Sequence, residues 1–258
     1  MTYLVEETRR RLEEWIVDTG TDPAALSRIR DGLAATSDQG RAPLQQPTVF
    51  VAGLTARPWW DSDEFSWAAE LRRATDRILG EFDADGGVEA ERVVRGGANR
   101  AARGRWSVRY LYHAGQPYPE NLNRFPETAR ALATVPGAAG CGMTYFSVLD
   151  AHSHVAAHTG FTNAHLRGHL GLVVPPGDCR LRVGDRQRRW ATGELLVFDD
   201  SYDHEAWNET GEARAVLLFD LWHPELSPLE IRALEYLMAV WRRLFIRRRW
   251  FPDLAGTR

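Results

Sequence analysis

Histidine is concentrated in one part of this 258-residue chain. Six of its eight histidines fall between His152 and His204. A neutral imidazole nitrogen is the commonest protein ligand of transition metals, so this clustering indicates a metal pocket. Histidines on a surface or in a core are also common. The clustering alone therefore leaves a structural role open.

The run His165–Leu170 alternates polar and apolar residues. In an extended strand, His165, Arg167 and His169 point to one face and the leucines to the other. An arginine between two histidines is costly in a closed core. The pattern makes sense if this face lines a cavity for an anion, because a guanidinium matches a carboxylate.

Arg214 is a second charge in an unusual place, within the apolar run Ala213–Phe219. A buried guanidinium demands a counter-charge, which a dicarboxylate ligand would supply. A protein carboxylate such as Asp199, Asp200 or Asp220 would serve equally well. The residues leave both explanations open.

The elements that must position these residues are mainly β-strands. From Trp106 onward, short apolar and β-branched runs recur between Gly, Pro and Asp, which is typical of a sandwich or jelly roll. The expected strands are Trp106–Tyr112, Met143–Leu149, His165–Val174, Arg180–Val183, Glu194–Phe198 and Arg214–Trp222, with a first strand at Val49–Val51.

Helices are expected on both sides of this region. Apolar spacing predicts helices over Thr2–Val17, from Asp22 to Leu33 and over Asp61–Phe82. Ser227 and Glu230 fit a capping box that begins a C-terminal amphipathic helix. We divide the chain into an N-terminal helical segment (1–47, with a linker over 37–47), a β-domain (48–226) and the C-terminal helix (227–258).

Several separated motifs closely resemble the aspartyl/asparaginyl β-hydroxylase family, in the right order and over roughly residues 48–228. The resemblance implies a double-stranded β-helix (a cupin-like jelly roll), mainly β with flanking helices, that binds Fe(II) and 2-oxoglutarate and uses O2. The motifs are Arg57–Asp61, Asn123–Pro126, His158–Gly160, Thr162–Asn163, Leu166–Leu172, Phe198–Trp207 and Asp220–Leu226.

The resemblance also implies roles for individual residues. His158 and His204 resemble the two catalytic iron ligands. Arg167 and His169 resemble the residues that hold the oxalyl end of 2-oxoglutarate. Arg214 and Ser147 resemble the anchors of its distal carboxylate.

Position 160 departs from the commonest iron site. Most non-haem iron oxygenases use two histidines and a carboxylate, usually two positions after the first histidine. That position is Gly160 here, as in the members of the family that leave water in its place. The expected reaction is hydroxylation of an unactivated C–H bond, by the family name a β-carbon. An open iron site also permits a halogenase.

Two other classes of protein compete with the oxygenase. A cupin-like protein could bind metal or acid without turnover, although paired arginine anchors suit a dicarboxylate beside a metal better. A zinc hydrolase would need a third protein ligand and a general base, which Gly160 does not supply.

The remaining polar residues of this half have weaker cases. We expect His152 and His154 to be exposed and His223 to be structural, whereas His165 could face substrate or a neighbouring residue. The sequence gives no functional argument for His113. Asp199 and Asp200 are expected to cap a turn or hydrogen-bond to a ligand histidine.

Composition limits the partners. The formal charge of −3 gives no case for nucleic acid or an anionic membrane as a partner. The basic residues are all Arg, so Lys-based catalysis is excluded. Cys141 and Cys179 need not pair, and no signal peptide or membrane span is apparent, so we expect a cytoplasmic enzyme.

The expected substrate is a small molecule, a peptide or a carrier-bound aminoacyl group. The terminal helices could frame its entrance or a homodimer interface.

Overall fold

The computed structural model describes residues 2–35, 40–91 and 101–247. Its core is made of consecutive antiparallel strands that divide between two sheets. The core strands are β5 (Met143–Leu149), β6 (Ser153–His158), β7 (His165–Val173), β8 (Cys179–Val183), β9 (Arg186–Arg189), β10 (Leu195–Phe198), β11 (His204–Asn208) and β12 (Arg214–Trp222). Shorter or peripheral strands are β1 (Trp59–Trp60), β2 (Ala101–Arg103), β3 (Trp106–His113) and β4 (Gln116–Pro117).

The two sheets face each other as in a jelly roll. The major sheet has the order β1-β10-β7-β12-β5-β3-β4, and the minor sheet has the order β2-β6-β11-β8-β9. The core strands therefore contribute four members to each sheet, which is the double-stranded β-helix arrangement. This confirms the fold expected from the sequence.

Helices cover the outer face of the major sheet and one end of the fold. They are α1 (Thr2–Thr19), α2 (Ser27–Ala34), α3 (Ala68–Arg73), α4 (Thr75–Ala84), α5 (Gly87–Glu91), α6 (Pro119–Arg124), α7 (Pro126–Leu132) and α8 (Pro228–Arg247), with short 3-10 turns at Pro23–Leu26 and Ser62–Glu64. None of these helices in the described part of the chain is both long and apolar enough to cross a bilayer.

The major sheet is buried on both faces, which explains the nearly continuous apolar runs in its central strands. Its outer face packs against α3, α4 and α7, where Leu217 and Phe219 meet Leu71 and Ile78. Its inner face meets the minor sheet in a second cluster that includes Trp59, Leu181, Val183, Phe198 and Val216.

The terminal helices pack together. α1, α2 and α8 share a hydrophobic cluster with Trp222 at the end of β12. Trp241 Nε1 donates to Thr8 Oγ1 at 2.8 Å, which joins α8 to α1. The predicted capping box is confirmed, because the Ser227 and Glu230 side chains each accept from the other's backbone N–H. Residues 37–39 of the expected linker and the end of the tail (248–258) lie outside the described residues.

Two expected elements differ from the structure. The single helix over Asp61–Phe82 is wrong: a 3-10 turn, α3 and α4 replace it, and Thr75 Oγ1 bonds to the carbonyl of Arg72 at the junction. Such local side-chain bonds compete with helix continuation. The strand at Val49–Val51 is also wrong, because the Asn163 side chain bonds to both N and O of Val51 and takes the place of a ladder.

Candidate functional site

The two histidines of the expected iron pair lie on neighbouring strands of the minor sheet. His158 ends β6, His204 begins β11, and the two residues are register partners. Their ring centroids are 4.1 Å apart with planes at 52°. His204 is buried and His158 is half-buried, so the pair lies where the interior reaches the surface. The structure thus brings together two imidazoles that lie 46 positions apart in the sequence.

Backbone carbonyls orient both rings in the same way. His158 Nδ1 donates to the carbonyl of Ala156 at 2.7 Å, and His204 Nδ1 donates to that of Tyr202 at 2.9 Å. A carbonyl oxygen can only accept, so each neutral ring carries its proton on Nδ1. Nε2 then holds a lone pair that could bind a metal, an arrangement typical of metal-ligating histidines.

A dense ion-pair network lies beside this pair. Arg167 Nη1 is 2.9 Å from Asp200 Oδ2, and Arg167 Nε is 2.8 Å from Asp220 Oδ1. His165 Nε2 is 3.5 Å from Asp200 Oδ1. All four side chains are buried. The guanidinium thus lies between two carboxylates, and its charge offsets one of their two negative charges.

The same network determines the charge of His165. Burial opposes its protonation, but the carboxylates of Asp220 and Asp200 outweigh burial and raise the pKa of His165 to about 9. His165, Asp200 and Asp220 have ligand atoms within 4.8 Å of one another, as a metal site would require. Because the Arg167 guanidinium already hydrogen-bonds to Asp220 and forms an ion pair with Asp200, we assign this cluster to ion pairing and not to metal binding.

His169 presents a hydrogen-bond donor to the interior. Trp190 Nε1 donates to His169 Nδ1 at 3.2 Å, so the proton of the neutral ring lies on Nε2. Burial, together with the charges of Arg214 and Arg167, lowers the pKa of His169 well below its usual value, which keeps the ring neutral. Its Nε2 is buried and has no hydrogen-bond partner in the structure.

Arg214 is buried without a carboxylate. Its Nη1 donates to the carbonyl and to Oγ of Ser147 at 3.2 and 3.3 Å, and its Cζ lies 4.5 Å from the Trp190 ring centroid. Burial lowers the pKa of Arg214, with a partial offset from the Cys179 side chain. Within the described ranges, no carboxylate oxygen comes within ion-pair distance of this guanidinium.

The alternative that Arg214 pairs with a protein carboxylate is therefore wrong. Asp200 and Asp220 pair with Arg167. Asp199 accepts from Gln45 Nε2 and from the N–H and hydroxyl of Ser201. A buried cation without an anion is costly, so this guanidinium would favour a negatively charged ligand.

The other polar residues can now be placed. Asp199 caps its turn, as expected. His165 faces a neighbouring residue, Asp200, and His223 is structural, since it is buried and its Nε2 lies 3.2 Å from the carbonyl of Thr55. His152 is exposed, as expected, whereas His154 is half-buried against Trp207. His113 is buried. Cys141 and Cys179 are both buried free thiols.

Sequence reasoning missed two tryptophans that contact the site. Trp190 follows β9, and Trp106 begins β3 and donates from Nε1 to Ser147 Oγ at 2.9 Å. Neither lies in a motif with polar spacing, so only their tertiary contacts identify them. The strands that carry His158 and His204 were also not predicted, because their inward side chains include Ser, His and Asn where apolar residues would reveal a strand.

The comparisons with known proteins agree with this arrangement. The family described as Aspartyl/Asparaginyl beta-hydroxylase matches residues 72–224. The chain is 34% identical over 197 residues to the Aspartyl/asparaginyl beta-hydroxylase of Homo sapiens, covering 74% of this chain and 26% of that protein. It is 33% identical over 232 residues to the human Aspartate beta-hydroxylase domain-containing protein 2, covering 84% of this chain and 62% of that protein.

A bacterial relative is matched over more of its length. The Ornithine lipid ester-linked acyl 2-hydroxylase of Rhizobium tropici is 33% identical over 213 residues, covering 80% of this chain and 72% of that protein. The matched relatives thus differ in the substrate that their names state. They also differ in length, since the match spans about a quarter of the human β-hydroxylase.

Proposed function

The chain belongs to the aspartyl/asparaginyl β-hydroxylase family, and from this premise we propose that it is an Fe(II)- and 2-oxoglutarate-dependent hydroxylase. The observation that carries the proposal is the closeness of two unlike features, which a chain of side-chain contacts through Phe198, His169 and Trp190 connects. One is a pair of imidazoles 4.1 Å apart, and the other is the buried Arg214 guanidinium without a carboxylate. The first suits a metal ion, and the second suits an anion beside it.

The donor set fits the proposed cofactor and cosubstrate. Two neutral imidazoles with Nε2 as the ligand atom suit Fe(II). The buried, unpartnered Nε of Arg214 and Nε2 of His169 suit the oxygens of a dicarboxylate. The buried Phe198 ring packs against both His204 and His169, with centroids 5.7 and 5.0 Å apart, and so places an apolar surface beside the proposed metal and anion sites.

Each residue then has a role. His158 and His204 hold the iron, which together with 2-oxoglutarate and O2 supplies the oxidising chemistry that hydroxylates a C–H bond. Arg214 and Ser147 bind the distal carboxylate. A charge-assisted hydrogen bond of this kind contributes about 1.5–3 kcal/mol. His169 donates from Nε2 to the oxalyl end.

Arg167 acts at the oxalyl end through its charge. Its guanidinium is neutralised by Asp200 and Asp220 in this structure, so 2-oxoglutarate would share it with them. We therefore assign Arg167 an electrostatic positioning role. This role requires its ion pairs with Asp200 and Asp220 to persist when the cosubstrate binds.

The substrate class is part of the proposal. The family name suggests a β-carbon of an Asp or Asn residue, and the Rhizobium relative is named for a lipid acyl group. We propose a small molecule, a peptide or a carrier-bound aminoacyl group. The iron pair lies at the surface end of the cavity, since His158 is half-exposed, which allows a tethered substrate to reach it.

Succinate formation tests the function directly. The purified protein is incubated in air with Fe(II) and 2-oxoglutarate, with a panel of amino acids, aspartyl peptides and acyl lipids. We expect succinate together with a one-oxygen mass gain in one substrate class. Succinate at the level of the His158→Ala, His204→Ala double variant with every class would contradict the proposal.

A further inference from the structure

A pocket for a dianion must present hydrogen-bond donors. Arg214 can only donate, but a neutral histidine and a serine can each donate or accept. His169 and Ser147 would repel a carboxylate if they turned a lone pair towards it. Something in the protein must therefore decide which atom of each residue faces the cavity.

The indole of Trp190 determines which ring nitrogen of His169 carries the proton. Trp190 Nε1 donates to His169 Nδ1 at 3.2 Å, and the two ring planes lie within 16° of parallel. An indole N–H can only donate, so Nδ1 must accept and Nε2 must carry the proton. Both side chains are buried, so water does not compete for this bond.

The indole of Trp106 helps to determine the direction of the Ser147 hydroxyl hydrogen. Trp106 Nε1 donates to Ser147 Oγ at 2.9 Å, and Arg214 Nη1 donates to the same oxygen at 3.3 Å. A hydroxyl has two lone pairs, and these contacts occupy both. The hydroxyl hydrogen of Ser147 must then point to a third direction, where it is a donor.

Trp190 also contacts Arg214 through its ring. The Arg214 Cζ lies 4.5 Å from the Trp190 ring centroid, within the range of a cation–π contact. One indole thus contacts both His169, by its N–H edge, and Arg214, by its ring. This geometry couples the two ends of the proposed cosubstrate cavity through a single side chain.

We propose that Trp106 and Trp190 are positioning residues that make the cosubstrate pocket a set of donors only, by occupying the acceptor atoms of Ser147 and His169. The inference rests on the proposed function, since it presumes that 2-oxoglutarate occupies this cavity. It assigns one tryptophan to each end: Trp190 to the oxalyl end through His169, and Trp106 to the distal carboxylate through Ser147.

Binding measurements with two ligands distinguish the role of Trp190 at the oxalyl end from that of Trp106 at the distal carboxylate. Calorimetric titrations use the full chain loaded with Mn(II), under nitrogen, with 2-oxoglutarate and with oxalate, which occupies only the metal end. Phenylalanine keeps an aromatic ring but removes the N–H. Trp190→Phe should raise the Kd of both ligands about three- to tenfold, the range for one hydrogen bond. Trp106→Phe should raise the Kd of 2-oxoglutarate by a similar factor and leave that of oxalate unchanged.

A matched control comes from the outer face of the minor sheet. Trp207 stacks on His154 with centroids 5.0 Å apart and touches none of the pocket residues named above. Trp207→Phe should leave both Kd values unchanged. Failure of the wild-type protein to bind 2-oxoglutarate would contradict the proposed function itself. Wild-type binding that neither Trp106→Phe nor Trp190→Phe weakens would overturn the positioning roles alone.

The tautomer of His169 gives a readout that does not depend on binding. In ¹⁵N-labelled protein, two-bond ¹⁵N–¹H correlations should show the His169 proton on Nε2, with the signal assigned by its loss in His169→Gln. Trp190→Phe should shift the ring towards a mixture of tautomers. A wild-type proton on Nδ1 would overturn the role of Trp190 even if the variants did not fold.

Discussion

The carboxylate of Asp200 occupies the space that a side chain at position 160 would need. A Cβ on Gly160 would lie 2.3 Å from Asp200 Oδ1 and 2.4 Å from Oδ2. Asp200 cannot move away cheaply, because it pairs with Arg167 and its backbone carbonyl accepts from Gly160 N at 2.6 Å. The fold therefore excludes a ligand from position 160 and places a carboxylate from another strand connection beside it.

Restoring a carboxylate at position 160 should accordingly fail to build a three-ligand site. We expect Gly160→Asp to lower the free energy of unfolding by about 1–3 kcal/mol, as overpacking does, and to lower turnover. Chemical denaturation and a succinate assay measure the two effects. Gly211→Ala is the control, because a Cβ there meets no atom within 4 Å.

Removing the obstructing side chain should relieve the clash. In the double variant Gly160→Asp, Asp200→Gly, the loss of unfolding free energy should be smaller than the sum of the losses in the two single variants. Equal stability of Gly160→Asp and the wild-type protein would show that Asp200 moves freely.

Metal binding should depend on both histidines of the pair. His158→Ala and His204→Ala should each reduce Mn(II) or Fe(II) affinity by at least about tenfold and abolish turnover, because one imidazole cannot hold the ion alone. Metal content after dialysis and calorimetry measure the loss. The exposed His152 supplies the control variant His152→Ala, which should keep full metal binding. Wild-type affinity in either single variant would remove that residue from the site.

Replacing the two buried arginines should change the free energy of unfolding in opposite directions. Arg214→Met removes a buried charge that has no carboxylate, so the cosubstrate-free protein should become more stable, by about 1–3 kcal/mol. Binding of 2-oxoglutarate should fall at least about tenfold. Arg167→Met leaves Asp200 and Asp220 with only His165 as a cationic partner and should destabilise by about 3–5 kcal/mol.

Thermal and denaturant unfolding tests whether each arginine variant is stabilised or destabilised. Both are measured without metal and cosubstrate. Destabilisation by Arg214→Met as large as that by Arg167→Met would mean that Arg214 has a compensating anionic partner within the protein.

The charge of His165 should make stability depend on pH. Its folded pKa of about 9 lies above the usual value near 6.5, so protonation favours the folded state. This contribution is fully present below pH ~6.5 and is lost as pH rises through ~9, with an upper size of about 3 kcal/mol.

Unfolding free energies across this pH range measure the loss, with His165→Gln as the comparison. The variant should show a flatter pH profile between pH ~6.5 and ~9. An unchanged profile would mean that His165 is neutral when folded.

The long apolar strands and the terminal helices could be predicted from sequence. Residues of the major sheet, such as Leu217 and Phe219 on β12, are buried on both faces, so their hydrophobicity alone marks the strand. The Ser227–Glu230 capping box is local, so four residues suffice to predict it. The broken helix over Asp61–Phe82 was not predictable, because both halves keep helical apolar spacing.

Residue type and spacing indicated Arg167, His169 and Arg214 as candidates of the site, and the family resemblance implied His158, His204 and Ser147. Only the tertiary structure decided their states, since these depend on contacts between residues far apart in the chain. Arg167 and Arg214 are the same kind of side chain on neighbouring strands, yet one meets two carboxylates and the other meets none among the residues that the structure describes. The indoles that orient His169 and Ser147 come from opposite sides of the fold, and no local pattern encodes a proton's position on a ring.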